Sequence, residues 1–145
     1  MARIHIEFPE KEEFTTEVTI RVTDLNYGGH LGNEMVLAYA QQARVAYLQS
    51  LGHADEKHVA GAGLIMVNAL VNYKAEGLLG MQLNISVSPM RISGSSFDLV
   101  YRMTDKKTAK TIAEVQTGMV CFDYEQNRPL RIPENLRAQM TPSGH

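Results

Sequence analysis

The sequence predicts an α+β fold in which a curled, mostly antiparallel β-sheet wraps around one long central α-helix. Three observations lead there. A single stretch, Glu34 to Ser50, contains neither Gly nor Pro and carries apolar residues at helical spacing. Several other segments alternate apolar and polar residues, which is the period of a half-buried strand. The connectors among the later segments are short and rich in Gly or polar residues, as hairpins require.

From the N-terminus, Val18, Ile20 and Val22 alternate with Thr19, Arg21 and Thr23, so the first strand is predicted to end where the segment DLNYGGHLGN (Asp24 to Asn33) begins. Gly28, Gly29 and Gly32 tolerate positive φ and let this loop approach a ligand closely, and Asn33 is a favourable helix N-cap. In the helix, Val36, Ala40, Ala43, Tyr47 and Leu51 recur at spacings of three and four, and Leu37 and Leu48 widen that face. The small residues Ala38, Ala40, Ala43 and Ala46 allow a sheet to come close, and Gly52 suits a left-handed C-terminal cap.

After the polar connector HADEKHVAGAG, Leu64 to Tyr73 is almost continuously apolar, the pattern of a strand covered on both faces. Leu83, Ile85 and Val87 define one amphipathic strand; Phe97, Leu99, Tyr101 and Met103 define the next. Thr111 to Asp123 places Ala113, Val115, Met119 and Cys121 on one face, with Gly118 marking a bulge. Gly77 to Gly80, Ile92 to Ser96 and Asp105 to Lys110 are predicted hairpin connections, Pro133 to Met140 a short terminal helix, and Thr141 to His145 a frayed tail. A sheet of this kind leaves edge strands, and self-association covers them.

Bulk properties narrow the function. The 145 residues suit one domain spanning 1–145, with 44% hydrophobic residues for a core and 21% charged residues to cover it. A net charge of −2 disfavours nucleic acid and anionic membrane surfaces as partners. The start of the chain, MARIHIEFPEKEE, turns acidic without the apolar run of a secretory signal, and no later segment reaches membrane-spanning length. Cys121 is the only cysteine, which excludes an intramolecular disulfide framework and fits a reducing cytoplasm. His53 and His58, near Asp55 and Glu56, match no zinc-binding spacing, so no metal is expected.

The segment TIRVTDLNYGGHLGNEMVLAYAQQARVAYLQSLG, together with VNYKAEGLLGMQLNISV, resembles the hotdog-fold acyl-CoA thioesterases of the 4-hydroxybenzoyl-CoA thioesterase-like family. The likeness extends over nearly the whole chain. In that family the loop commonly reads as an acidic residue, a spacer, Asp, two spacers, Gly-His-Val, a spacer and Asn, followed by a helix containing Glu/Gln-Ala-Arg. Asp24, Asn26, Gly29, His30, Leu31, Asn33 and Gln42-Ala43-Arg44 occupy the matching positions. The resemblance implies the hotdog fold and hydrolysis of acyl-CoA to free acid and CoA without a cofactor. It also implies a homodimer or dimer of dimers, with the pantetheine arm running between subunits. A backbone N–H at the start of the central helix, at Asn33, would polarise the thioester carbonyl, a role suited to the unpaired N–H groups and positive dipole end found there.

One position departs from the pattern. Asn26 stands where many relatives carry the catalytic Asp, and a neutral amide cannot take a proton from water, although it can hold a water or the thioester oxygen. His30 is the first candidate for the base, because an imidazole titrates near neutrality, at roughly 6.5 when unperturbed. Asp24 is the second, either as the base itself or as the partner that fixes the histidine, and Glu34 in the first helical turn is the third. Tyr27, Gly28 and Gly29 are expected to line the thioester end, and Met66, Val67 and Asn68 the acyl or pantetheine channel. Glu76, Arg91, Lys106 and Lys107 read chiefly as solvated turn residues. Two other readings stay open. A hotdog dehydratase would need a His and an acid in a different loop arrangement. A non-catalytic dimer that binds or senses acyl-CoA is the reading that Asn26 keeps alive.

Overall fold

The computed structural model describes residues 3–141, so positions 142–145 of the predicted tail lie outside the described residues. The described elements are β1 (Phe14–Thr19), α1 (Asn33–Ser50), β2 (Gly63–Tyr73), β3 (Gln82–Met90), β4 (Ser96–Asp105), β5 (Thr111–Asp123), β6 (Arg128–Pro129) and α2 (Glu134–Met140). All strand pairings among them are antiparallel, in the order β1-β3-β4-β5-β2, with β6 added on β5. The helix α1 has 18 residues, about 27 Å at 1.5 Å per residue, and packs against this sheet.

The period-two patterns become the inner face. Leu83, Ile85 and Val87 of β3, Phe97, Leu99, Tyr101 and Met103 of β4, and Ala113, Val115, Met119 and Cys121 of β5 are all buried. They join one apolar cluster with Val36, Tyr39, Ala40, Ala43, Tyr47 and Leu48 of α1. Ala40 and Ala43 are fully buried, as close packing on a sheet requires, whereas Ala38 is exposed. Gly52 takes φ +94°, the left-handed conformation expected after the helix. A charged group also sits in this core. The Arg44 guanidinium donates to Glu56 at 3.0 Å and to the Tyr101 hydroxyl at 3.0 Å, and that hydroxyl pairs with Thr117 at 2.8 Å. One polar chain thereby ties the helix, the 53–62 connector and two strands.

On the opposite face, the N-terminal segment crosses the strands as a strap. Asn72 of β2 donates to the Ile4 carbonyl, Arg102 of β4 stacks over Phe8 at 4.1 Å, and the Glu13 N–H reaches Ser88 of β3. Ile6 of the strap is itself buried.

Four expectations need correction. The first strand begins at Phe14 and stops at Thr19, and Val22 is exposed in a single 3₁₀ turn, Val22–Asp24. Asp24 causes this bend, since its carboxylate accepts the Arg21 N–H at 3.1 Å and folds the chain back. Secondly, β2 is an edge strand and not a strand covered on both faces, with Met66 and Val67 exposed. Thirdly, the bulge lies across from Gly118, in β2 itself. The register shifts between Met66 and Asn68, leaving Val67 as the extra residue, and Asn68 Oδ1 accepts the Gly118 N–H at 3.0 Å. A Cβ at position 118 would lie 2.3 Å from that oxygen, so the glycine is the receptor for its neighbour's irregularity.

Finally, Gly77 to Gly80 is not a hairpin, because β2 and β3 are not neighbours. The 74–81 segment instead crosses the end of the sheet. It starts at β5, where Lys74 N–H donates to the Ile112 carbonyl, and finishes beside β1, where Ile20 N–H donates to Met81 and Gly80 N–H to Ile20. The other two connections are hairpins, between β3 and β4 and between β4 and β5.

The bend at Asp24 is locked to the helix. Tyr39 of α1 donates its hydroxyl to Asp24 Oδ2 at 2.5 Å, and both residues are nearly inaccessible. This hydroxyl holds the Asp24 carboxyl below its ordinary 3.8 against the opposing pull of burial, with Arg21 contributing in the same direction. Burial, then Asp24, pushes the Tyr39 hydroxyl up. A carboxyl with a lowered folded value stabilises the fold above its unfolded value, and the contribution is lost as pH falls through the folded one. Asp24→Asn is therefore expected to cost about 1–2 kcal/mol at neutral pH. In urea unfolding the deficit should shrink below about pH 4, and a constant deficit would count against the linkage. A second expectation concerns Cys121, whose thiol burial pushes up to about 11. It should resist a disulfide reagent at neutral pH in the folded chain and react once the chain is unfolded in urea.

Candidate active site

The loop after the Asp24 bend is organised by its own asparagine. Asn26 Oδ1 accepts the N–H groups of Gly28 at 3.0 Å and His30 at 3.3 Å, while the Asn26 N–H donates to the His30 carbonyl at 2.8 Å. Such side-chain turns are what short amides form well. Gly29, at φ +83°, closes the turn and donates to the Asn26 carbonyl. The side chain that departs from the family pattern therefore uses its oxygen to shape the loop, and the residue lines the cleft.

The crossover segment presses onto this loop. Leu31 N–H donates to the Gly77 carbonyl at 2.9 Å, and His30 bridges to Leu78. Gly77 is required by contact: a Cβ there would stand 2.8 Å from Ile20 and 2.9 Å from Leu31. This close approach carries Glu76 to His30, with Nε2 and Oε2 3.2 Å apart.

The helix begins without a side-chain cap. Gly32 is the cap residue, in an extended conformation, and Asn33 is the first helical residue and not the N-cap. Gly32 N–H is taken by the Asp24 carbonyl and Met35 N–H by the Gly32 carbonyl, whereas the N–H groups of Asn33 and Glu34 have no acceptor among the described residues. Tyr73, at the end of β2, donates its hydroxyl to the Asn33 carbonyl at 3.1 Å. Between these elements lies a cleft of about 330 Å³, lined by Asn26, His30, Asn33, Val36, Tyr73 and Glu76 among others. Asn33, whose N–H is uncommitted, and His30 thus line one space. That pairing suits a reaction in which negative charge develops on an oxygen while a proton is removed nearby.

Not every candidate residue reaches the cleft. Asp24 stands behind it, its oxygens taken by Arg21 and Tyr39, with no contact to His30. Tyr27 is fully exposed at the loop tip, and Gly28 and Gly29 serve the turn. Glu34 lies beside Gly32, where a Cβ would meet its carboxylate at 2.5 Å, and it does not line the cleft. Met66, Val67 and Asn68 sit about 20 Å along β2 from Tyr73, given some 3.3 Å per residue, and Asn68 is turned to Gly118.

Tyr73, Lys74 and Glu76 are cleft residues that sequence reasoning missed or read as solvated. The run YKAEG marks only a strand end, and its proximity to His30 arises from the crossover. Elsewhere, Lys106 pairs with Glu17 at 2.5 Å and Arg91 lies 3.9 Å from Asp98. His53 pairs with Gln139 and His58 with Asp55. Among the described residues no three His, Cys, Asp or Glu side chains are grouped for a metal, and no helix is long and apolar enough to cross a membrane.

Comparison with known proteins gives concordant results. The long-chain acyl-CoA thioesterase FadM of Escherichia coli K12 is 22% identical over 125 residues, covering 86% of this chain and 95% of FadM. Among solved structures, Slr0204, a 1,4-dihydroxy-2-naphthoyl-CoA thioesterase from Synechocystis, superposes with a TM-score of 0.81 at 20% identity, covering 91% of this chain and 98% of its own. BH1999, a gentisyl-coenzyme A thioesterase, gives 0.79 at 18% identity, with 88% of this chain and all of its own covered. These likenesses establish the hotdog fold of the sheet and helix. Residues 20–140 match the sequence model of the thioesterase-like superfamily, and the chain belongs to that superfamily.

Proposed function

We propose that this protein hydrolyses an acyl-CoA thioester to the free acid and CoA, with His30 as general base and the helix-start N–H at Asn33 as oxyanion donor. The observation that carries this reading is that Asn33, with its unpaired helix-start N–H, and His30 line the same cleft. A water oxygen attacks the thioester carbon while His30 takes its proton, and the carbonyl oxygen gains charge toward the Asn33 N–H. Collapse of the tetrahedral species breaks the C–S bond, and the imidazolium returns the proton to the departing thiolate. Asn26, which also lines the cleft, would hold the water, and Asp24 serves as the anchor that keeps loop and helix in register. The chemistry calls for no metal or redox cofactor.

The acyl group would rest against Leu31, Val36 and Ile112, the apolar part of the cleft. Acyl-CoA as substrate class is supported by FadM and Slr0204, whose acyl groups differ, so the present chain's acyl preference needs a direct assay. In this reading the chain acts as one hotdog domain in the cytoplasm, assembled as a homodimer or dimer of dimers. The exposed β2 edge, with Met66 and Val67, supports such assembly. It also offers a route by which these residues could line the partner's channel.

Thiol release from short, medium, long-chain and aromatic acyl-CoAs tests the activity. Wild type is expected to cleave at least one class, and His30→Ala to lower kcat by about 10²–10⁴. Binding without cleavage across the whole panel would favour the non-catalytic acyl-CoA reading, and equal rates for His30→Ala would remove His30 as base. Light scattering should find more than one chain per particle, and Val67→Lys on the open edge should shift it toward the single chain. A monomeric wild type would refute the assembly.

A further inference from the structure

We infer that Glu76, supplied by the crossover between β2 and β3, is the positioning residue that fixes the His30 tautomer and replaces the carboxylate absent at Asn26. The inference rests on the thioesterase reading for its kinetic consequence, but its geometric content stands on the contact alone.

The contact is specific in its atoms. Glu76 Oε2 faces His30 Nε2 at 3.2 Å. The two atoms stand at ion-pair distance and not in an aligned hydrogen bond, but an ionised carboxylate repels a lone pair at Nε2, which favours the neutral tautomer that carries its proton there. The lone pair then resides on Nδ1, which makes Nδ1 the atom that accepts the water proton. Once Nδ1 is protonated, the ring stands beside the Glu76 carboxylate, which takes no proton in the step. When the C–S bond breaks, Nδ1 gives the same proton to the thiolate sulfur. Water has then added across the thioester bond with no net proton left on the protein.

The contact is also held by backbone. Leu31 N–H donates to the Gly77 carbonyl and His30 bridges to Leu78, so the residues next to both side chains are hydrogen-bonded to each other. Gly77 permits that approach by having no Cβ where Ile20 and Leu31 stand. Both side chains are partly open, at 41% for His30 and 70% for Glu76, so an isolated ion pair here would contribute little to stability. Its value lies in orienting one ring. Among the described residues no other carboxylate lines the cleft: Asp24 is committed to Tyr39 and Arg21, and Glu34 lies outside it.

The test uses the full chain, with imidazole ¹⁵N NMR to read the tautomer and His30→Ala to assign the signal. In wild type at alkaline pH, His30 is expected to carry its proton on Nε2, and Glu76→Ala should lose that preference. On the best-cleaved acyl-CoA, Glu76→Ala should lower kcat about 10- to 100-fold with KM within about threefold, and Glu76→Asp should recover part of the loss. An unchanged thermal midpoint in Glu76→Ala separates this from unfolding. A wild-type proton on Nδ1, or an unchanged kcat in Glu76→Ala, overturns the proposal. If no acyl-CoA is cleaved by wild type, the thioesterase reading fails, and the tautomer in wild type and Glu76→Ala still decides the pairing.

Discussion

The structure depends on one constraint: the first turn of α1, which carries Asn33 to the cleft, has no side-chain cap. A Ser, Thr or Asp at the cap would stabilise the helix by about 1 kcal/mol by accepting the N–H of the second or third helical residue. Gly32 contributes no such side chain. The position of the uncapped turn must then be held from outside it. Asp24 does so twice, through its carbonyl to Gly32 N–H and its carboxylate to Tyr39, about two turns further along the helix. The crossover holds the other side through Gly77.

The same principle extends into the core. Arg44, Glu56, Tyr101 and Thr117 form a hydrogen-bonded chain through an otherwise apolar interior. Burying such a group has little net benefit for stability, but leaving any member unpaired is costly. The chain therefore restricts how the helix can slide or rotate on the sheet. The register of the uncapped helix start beside the cleft is fixed in the same way.

Much of this was legible in the sequence. The inward residues of β3, β4 and β5 follow their period-two patterns, the helix occupies its Gly- and Pro-free stretch, and α2 forms where expected. These features are local, and local periodicity reports them well. The loop motif also led to His30, Asn26 and Asn33, which the folded chain brings to one cleft. What escaped was the long-range order of the strands. Nothing in GLLG separates a hairpin from a crossover, because both need a tight, permissive turn. That order decides which residues meet the loop, so Tyr73 and Glu76 were not recognised as its neighbours. Asn33 was misread as a cap since Asn favours that position, whereas Gly32 already supplies the bend.

The bulge in β2 explains why this strand looked covered on both faces. Paired residues on antiparallel strands share a face. Leu64 and Met66 pair with the inward Cys121 and Met119, while beyond Val67 it is Asn68, Leu70 and Asn72 that pair with the outward Gly118, Gln116 and Glu114. Val67 therefore acts as a phase shifter: one unpaired residue exchanges the odd and even positions of everything that follows. Apolar residues from two opposite phases, read end to end, look like a continuous run. Counted from Met66 without that shift, Tyr73 would point away from the helix and Asn72 into the core. The wall of the cleft is thus aimed by an irregularity some six residues upstream. In this strand, residue count matters as much as residue identity.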